Sequence, residues 1–225
     1  MRIIVIISAI TEWVAVKDVL APDDLQFTPY GEYFDAKFDI WNVSFFHAGW
    51  GKAASAGAMQ YVIDHYMPDV AINLGTCGGF VGEVELGNII LVERTFIYDI
   101  LELMGDFDSV SDYYASNLDL SWLPEPYPYP ARRGILASAD SDLLPEKISQ
   151  LKALGAIAAD WESAALAWVA RKNSTRLLIL RIVSDLVSDQ GGEAYDNIEL
   201  FKERTKRIMN RLIEQLPQWI AVIEP

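Results

Sequence analysis

A chain of 225 residues, 52% of them apolar, is long enough to bury one sizeable core, and its formal net charge of −14 argues against nucleic acid or an anionic membrane as partner, since both would be repelled. Cys77 is the sole cysteine, which excludes a disulfide framework and a zinc cluster and suits a reducing, cytoplasmic setting. Neither a composition break nor an internal repeat divides the chain, so residues 1–225 are expected to form one domain.

Apolar runs of strand length alternate with stretches of helical period from the start. The opening "MRIIVIISAI" stops too soon at Thr11 and Glu12 to span a membrane, lacks a small-residue cleavage site, and reads as a first strand over 2–8. "TEWVAVKDVL" (11–20) predicts a short helix, "YFDAKF" and "IWNVSFFHAG" a hairpin, 51–66 a helix, and "DVAINLG" a strand. Further strands are predicted at "GNIILVERTFIYDI" and "RRGILAS", followed by a helix in "PEKISQLKAL" with its proline near the start. "AIAAD" leads as a short strand into the helix "WESAALAWVARK", "TRLLILRIVSD" is a long strand, and 197–224 supplies one or two closing helices. This order predicts a three-layer α/β/α sandwich around a central mixed, largely parallel sheet. Residues 105–132 break the pattern with prolines, scattered aromatics and no period. Such a stretch is a lid, a subunit contact or a disordered patch, and its tyrosines and tryptophan favour the first two.

Ligands of open α/β sheets sit beyond the carboxyl ends of strands. That rule gathers Glu12, residues 49–52, 75–79, 138–142 and 160–162, and Ser184 with Asp185. The strand 175–185 poses the sharpest question, because a buried apolar run should not carry Arg181 and Asp185 without compensation. Four residues apart, the two are expected on the same side of a regular strand.

The glycine-rich "NLGTCGGF" (73–80), followed by "GEVELGNIILV" (82–92), resembles the hallmark of the nucleoside phosphorylase/nucleosidase superfamily. "AITEWV", "AGWGKAASA" (48–56), "AADWESAALAWVA" (158–170) and "LRIVSDLVSDQ" (180–190) occur in that family's order and make the chain most similar to its 5′-methylthioadenosine/S-adenosylhomocysteine nucleosidases, with 105–132 unmatched. The resemblance implies hydrolysis of the N-glycosidic bond of a 5′-modified adenosine, with no cofactor and no metal. It also implies a small-molecule nucleoside as substrate, a homodimer, and a place in methionine salvage in the cytoplasm.

Residue by residue, the resemblance implies that Asp185 protonates the departing purine at N7, with Ser184 orienting it; taken alone, Asp185 is equally a helix N-cap. Glu12 matches the base that activates water, or else is an ordinary first-turn glutamate facing the helix dipole. Glu162 matches the carboxylate that grips the ribose hydroxyls, as against a solvent-facing helix residue. Arg181 is implied near Glu12, holding the water and offsetting carboxylate charge, or simply pairs with a buried acid. Thr76 and the backbone at Gly78 would line the water and base pocket. Trp50 and Trp161 would make apolar contacts to sugar or base, or belong to the core, and Tyr195 would close over the purine.

The related hexameric phosphorylases carry an arginine-containing, glycine-rich phosphate loop after the first strand and an arginine before the central glycine motif. This chain has "SAITEW" and Asn73 there, so water is the expected nucleophile. In "SADSDLL" (138–144), Asp142, beside Leu143, stands where the family stacks a large apolar residue on the base. Met104, Tyr113 and Tyr114 are candidates for the 5′-substituent pocket. The alternatives are a phosphorylase, a futalosine hydrolase-like nucleosidase, or a non-catalytic nucleoside-binding protein.

Overall fold

Every residue of the first strand, β1 (Ile3–Ile7), is buried, because alternate side chains enter two different apolar layers: Ile3, Val5 and Ile7 one, Ile4 and Ile6 the other. The structure is a computed structural model that describes residues 1–105, 107–195 and 197–223. Asp106, inside the unmatched stretch, and Asp196, Glu224 and Pro225 lie outside the described residues. After β1 come α1 (Ile10–Leu20), β2 (Gln26–Phe27), β3 (Glu32–Phe38), β4 (Trp41–His47), α2 (Gly51–Tyr66) and β5 (Val70–Phe80). The middle of the chain supplies β6 (Ile89–Ile97), α3 (Phe107–Tyr114), β7 (Ser116–Asn117) and β8 (Arg132–Ser138). A 3-10 turn at Pro145–Lys147 leads into α4 (Ile148–Ala153), β9 (Ala156–Asp160), α5 (Ser163–Lys172), β10 (Leu177–Ser188), β11 (Gly191–Gly192) and α6 (Ile198–Ala221).

The three layers follow from the two faces of the sheet. Trp13 and Val16 of α1 and Met209, Leu212, Leu216 and Trp219 of α6 cover one; Ala58, Met59 and Val62 of α2 and Leu166, Ala167 and Ala170 of α5 cover the other. α6 is a single helix that runs on past Pro217, with Trp219 and Ile220 anchored in the core.

The sheet is mixed, in the order β11-β10-β6-β8-β9-β5-β1-β4-β3-β2, with β10 also pairing β5. β1 runs parallel to β4 and β5, β10 parallel to β5, and β8 parallel to β6 and β9. The second β10 pairing closes β5, β10, β6, β8 and β9 into a ring. β5 serves three neighbours: its first half lies between β1 and β10, its second between β9 and β10. It therefore continues through the glycine-rich stretch, where the sequence suggested a strand ending at Gly75. Missing side chains let neighbouring strands change partner there.

β10 departs from regularity at one point that matters. Its register with β5 runs from Leu177↔Ala71 to Val183↔Cys77 and resumes at Asp185↔Gly78, leaving Ser184 as a bulge. Arg181 therefore shares the side of Ile179 and Val183, toward α2 and α5, whereas the extra residue turns Asp185 to the opposite side. The expectation that both point the same way assumed unbroken alternation, and the bulge overturns it.

Part of the 105–132 stretch belongs to the core. Leu120, Trp122 and Leu123 are buried in the α1/α6 layer, and the Tyr127 ring lies 5.9 Å from that of Trp219. Its described residues form a strap over the core, with none of them on the wall of the main cavity. Trp122→Ala is expected to lower the unfolding free energy by about 3 kcal/mol, read from the urea midpoint.

Candidate active site

The carboxyl ends of β1, β5, β9 and β10 open onto a cavity of about 810 Å³, a size that suits a small organic ligand. Glu12, Thr76, Gly78, Glu162, Ser184 and Asp185 all line it, as do Asp142, Leu143, Tyr195, Trp50 and Trp161. Arg181 does not.

Arg181 is 1% exposed and lies behind that wall. Its Nε donates to Asp160 Oδ2 at 2.9 Å and to Ser163 Oγ at 3.1 Å, and its Nη2 donates to Asn73 Oδ1 at 2.7 Å. Asn73 is held in turn through its Nδ2, 2.8 Å from the Ile6 carbonyl. A Cβ at Gly75 would overlap Arg181 Nη1 and stand 2.7 Å from Glu12 Oε1, so only glycine leaves the slot where guanidinium and carboxylate approach.

Glu12 sits in the first turn of α1, yet it is buried and turned toward β5. Its Oε1 accepts from the Thr76 backbone N–H at 2.6 Å and from Thr76 Oγ1 at 2.9 Å. Burial raises its pKa, opposed by Arg181 and by the Thr76 hydrogen bonds.

Asp160 organises the start of α5. It accepts from Ser138 Oγ at 2.5 Å, from the Ser163 N–H at 3.2 Å and from Arg181, while the Ala164 N–H donates to Ser138 Oγ at 3.0 Å. With the helix donors met by these partners, Glu162 is free to face the cavity. There its Oε1 accepts from the Gly51 N–H at 3.1 Å, at the amino end of α2. Gly51 has φ +80°, and a side chain there would meet Asp140 Oδ1 at 2.8 Å. Burial first, then the nearby Asp160, push the Glu162 carboxyl up to about 8.

Asp185 is 7% exposed, and burial raises its pKa too. Ser184 Oγ lies 2.8 Å from Asp185 Oδ1 and 3.2 Å from the Cys77 carbonyl. A hydroxyl has one proton, so it can donate to the ionised Asp185 or turn to Cys77 and accept from the protonated acid. The Cys77 thiol is driven well up by burial and stays protonated.

Across the mouth, the Tyr195 hydroxyl donates to the Leu143 carbonyl, and exposed Asp142 stands on the rim. Trp50 is mostly exposed as the N-cap residue of α2, and Trp161 is partly so. Met104, Tyr113 and Tyr114 lie off the wall: Met104 is bare, while the Tyr113 carbonyl accepts from Trp168 and Arg171 of α5.

Sequence reasoning missed Tyr98 after β6 and Ile198 and Phe201 at the start of α6, all on the wall. An amphipathic helix pattern carries no sign that its first turn faces a cavity. Asp160 was among the converging residues, but its position next to a strand end gave no hint that it anchors Arg181. Among the described residues, no group of three or more His, Cys, Asp or Glu is arranged to hold a metal.

The wall thus carries five carboxylates, Glu12, Asp142, Asp160, Glu162 and Asp185, and among its described residues no Lys or Arg. A ring-closed α/β sandwich with acidic groups at its strand ends defines a class, and the chain belongs to the phosphorylase superfamily, whose family model matches residues 4–216. It is similar to the 5′-methylthioadenosine/S-adenosylhomocysteine nucleosidase of Marinomonas sp. (strain MWYL1), 24% identical over 229 residues spanning 95% of this chain and 99% of that one. The nucleosidase of the same name from Buchnera aphidicola subsp. Acyrthosiphon pisum (strain Tuc7) is 25% identical over 199 residues, 80% of this chain and 83% of its own. Among solved structures, apo 5′-methylthioadenosine nucleosidase of Arabidopsis thaliana superposes with a TM-score of 0.80 at 20% identity, over 98% of this chain and 95% of that one, a likeness of fold.

Two outcomes are expected. Gly75→Ala lowers thermal stability sharply, because the new methyl group displaces Arg181 from its partners. For Glu162, a native pKa of about 8 against 4.5 means that the folded state binds the extra proton between those values. Stability therefore falls as pH rises from 4.5 to 8. Glu162→Gln removes this loss, so its Tm should exceed that of the parent above pH 8 and match it below pH 4.5.

Proposed function

We propose that the protein hydrolyses the N-glycosidic bond of a 5′-modified adenosine, 5′-methylthioadenosine or S-adenosylhomocysteine, to adenine and the 5-substituted ribose. The observation that carries this is the wall of five carboxylates without a described cation. The ionised members of such a wall favour a sugar that becomes cationic, and a wall without a described Lys or Arg offers inorganic phosphate no counter-charge. The similarity to nucleosidases over nearly the whole chain supports the same substrate class.

Asp185, its pKa raised by burial, donates its proton to purine N7 as the bond between N9 and C1′ breaks. The bonding pair stays with the base, which leaves as neutral adenine. Water adds to C1′ while Glu12 takes one of its protons; exchange with solvent then restores both carboxyl groups. Burial raises the Glu12 pKa, and a carboxylate of raised pKa is the stronger base when ionised. Glu162, once ionised, accepts from the 2′- and 3′-hydroxyls, and these bonds strengthen as the ring gains positive charge. Thr76 holds Glu12 from the Gly78 side of the wall. Arg181 acts from behind, offsetting the charge of Glu12 and Asp160.

The exposed run of Leu101, Leu103 and Met104 supports assembly as a homodimer. Among the described residues no helix is long and apolar enough to cross a membrane. The reading places the protein in the cytoplasm with a small nucleoside as substrate, and the net charge of −14 disfavours nucleic acid as partner.

Adenine release should be equal with and without millimolar phosphate. A phosphate requirement would make the protein a phosphorylase, and no base from any nucleoside in a panel would make it a binding protein. Asp185→Asn and Glu12→Gln should each lower kcat by roughly 100-fold or more while the fold is retained.

A further inference from the structure

Three residues after Phe201, and on the same face of α6, stands Arg204. Its Nη1 donates to the Ser184 carbonyl at 2.9 Å and to Glu193 Oε2 at 2.9 Å. Ser184 is the bulge residue of β10, the one that turns Asp185 to the cavity side. The Ser184 side chain lies 2.8 Å from Asp185 Oδ1. One residue is thus gripped at its carbonyl by α6 and grips the acid with its hydroxyl. Glu193 belongs to the turn after β11, which also carries Tyr195, and its own backbone N–H donates to the Leu186 carbonyl at 3.2 Å.

A bulge is a local choice between registers, and the neighbouring residues must hold it in place. Resting on the assignment of Asp185 as general acid, we propose that Arg204 is a positioning residue: it fixes the Ser184 bulge so that Asp185 faces the purine site, and ties the Tyr195 turn to the same point. Arg204 touches no substrate. It acts through Ser184.

The charges around Asp185 decide the sign of the test. Ser184 on β10 and Arg204 on α6 lower its pKa against the effect of burial, while Glu193 from the turn and Asp142 from the loop after β8 raise it. Tyr195 and the Cys77 thiol also face it and are uncharged near neutrality. Removing Arg204 takes away a cation and leaves Glu193 uncompensated, and both changes raise Asp185 further.

The test uses the full chain with Arg204→Met, Arg204→Lys and, as control, Arg211→Met. Arg211 lies on the same helix and donates to a backbone carbonyl elsewhere, that of Gly87 at 2.8 Å. Arg204→Met should lower kcat about tenfold or more with KM nearly unchanged, because the acid is displaced rather than the binding surface. Its alkaline limb should move to higher pH, and Asp185, titrated by carboxyl carbon NMR in the ligand-free protein, should titrate higher. Arg204→Lys should bring the limb back and recover part of kcat, and Arg211→Met should behave as the parent. An unmoved Asp185 titration in Arg204→Met, unchanged kcat, or the same shift in Arg211→Met overturns the proposal. Should the parent release no base at all, the hydrolase reading fails, while the Asp185 titration still decides whether Arg204 governs that carboxyl.

Discussion

A guanidinium placed in the middle of a sheet must be neutralised and hydrogen-bonded where it lies, or the fold loses several kcal/mol. Arg181 meets that condition by drawing in Asp160 from the end of β9, Ser163 from the start of α5 and Asn73 from β5, with Gly75 left bare to admit it. Each partner belongs to a different element, so compensating one charge ties β5, β9 and α5 to β10 beside the cavity. Glu12 completes the set, close enough for Arg181 to moderate its pKa while remaining on the wall.

The same chain position solves a second problem within four residues. A carboxylate on the Arg181 side of β10 would be drawn into the buried cluster and neutralised there. The Ser184 bulge sends Asp185 to the other side, away from the guanidinium. There burial raises its pKa against the opposing effects of the Ser184 hydroxyl and Arg204, with Glu193 adding to the rise. Asp160, paired with Arg181, and Asp185 thus meet different surroundings on the two sides of the sheet.

Concentrating Glu12, Glu162 and Asp185 in poorly hydrated positions works against stability, since burial raises all three pKa values. The surrounding layers supply the compensation: an almost wholly apolar sheet interior, α1 and α6 on one face, α2 and α5 on the other, and the 105–132 strap sealing the α6 end. The proposed chemistry is carried by groups that the core has to tolerate.

The sequence by itself determined the alternation of strands and helices, since apolar periodicity is a local property set by which side chains must leave water. It also marked Glu12, Glu162 and Asp185, because polar residues ending apolar runs stand out against any core pattern. What it could not contain was pairing. That β10 joins both β5 and β6, closing a ring, depends on strands far apart in the chain. That Arg181 falls behind the wall and Asp185 onto it depends on one extra residue whose effect exists only in register with β5. The aromatic stretch 105–132 could be recognised as more than a simple loop, but its place against Trp219 was set by the apolar end of α6. Side, depth and partner were decided by tertiary structure, because the energy of a buried charge depends on what surrounds it in space rather than on its neighbours in sequence.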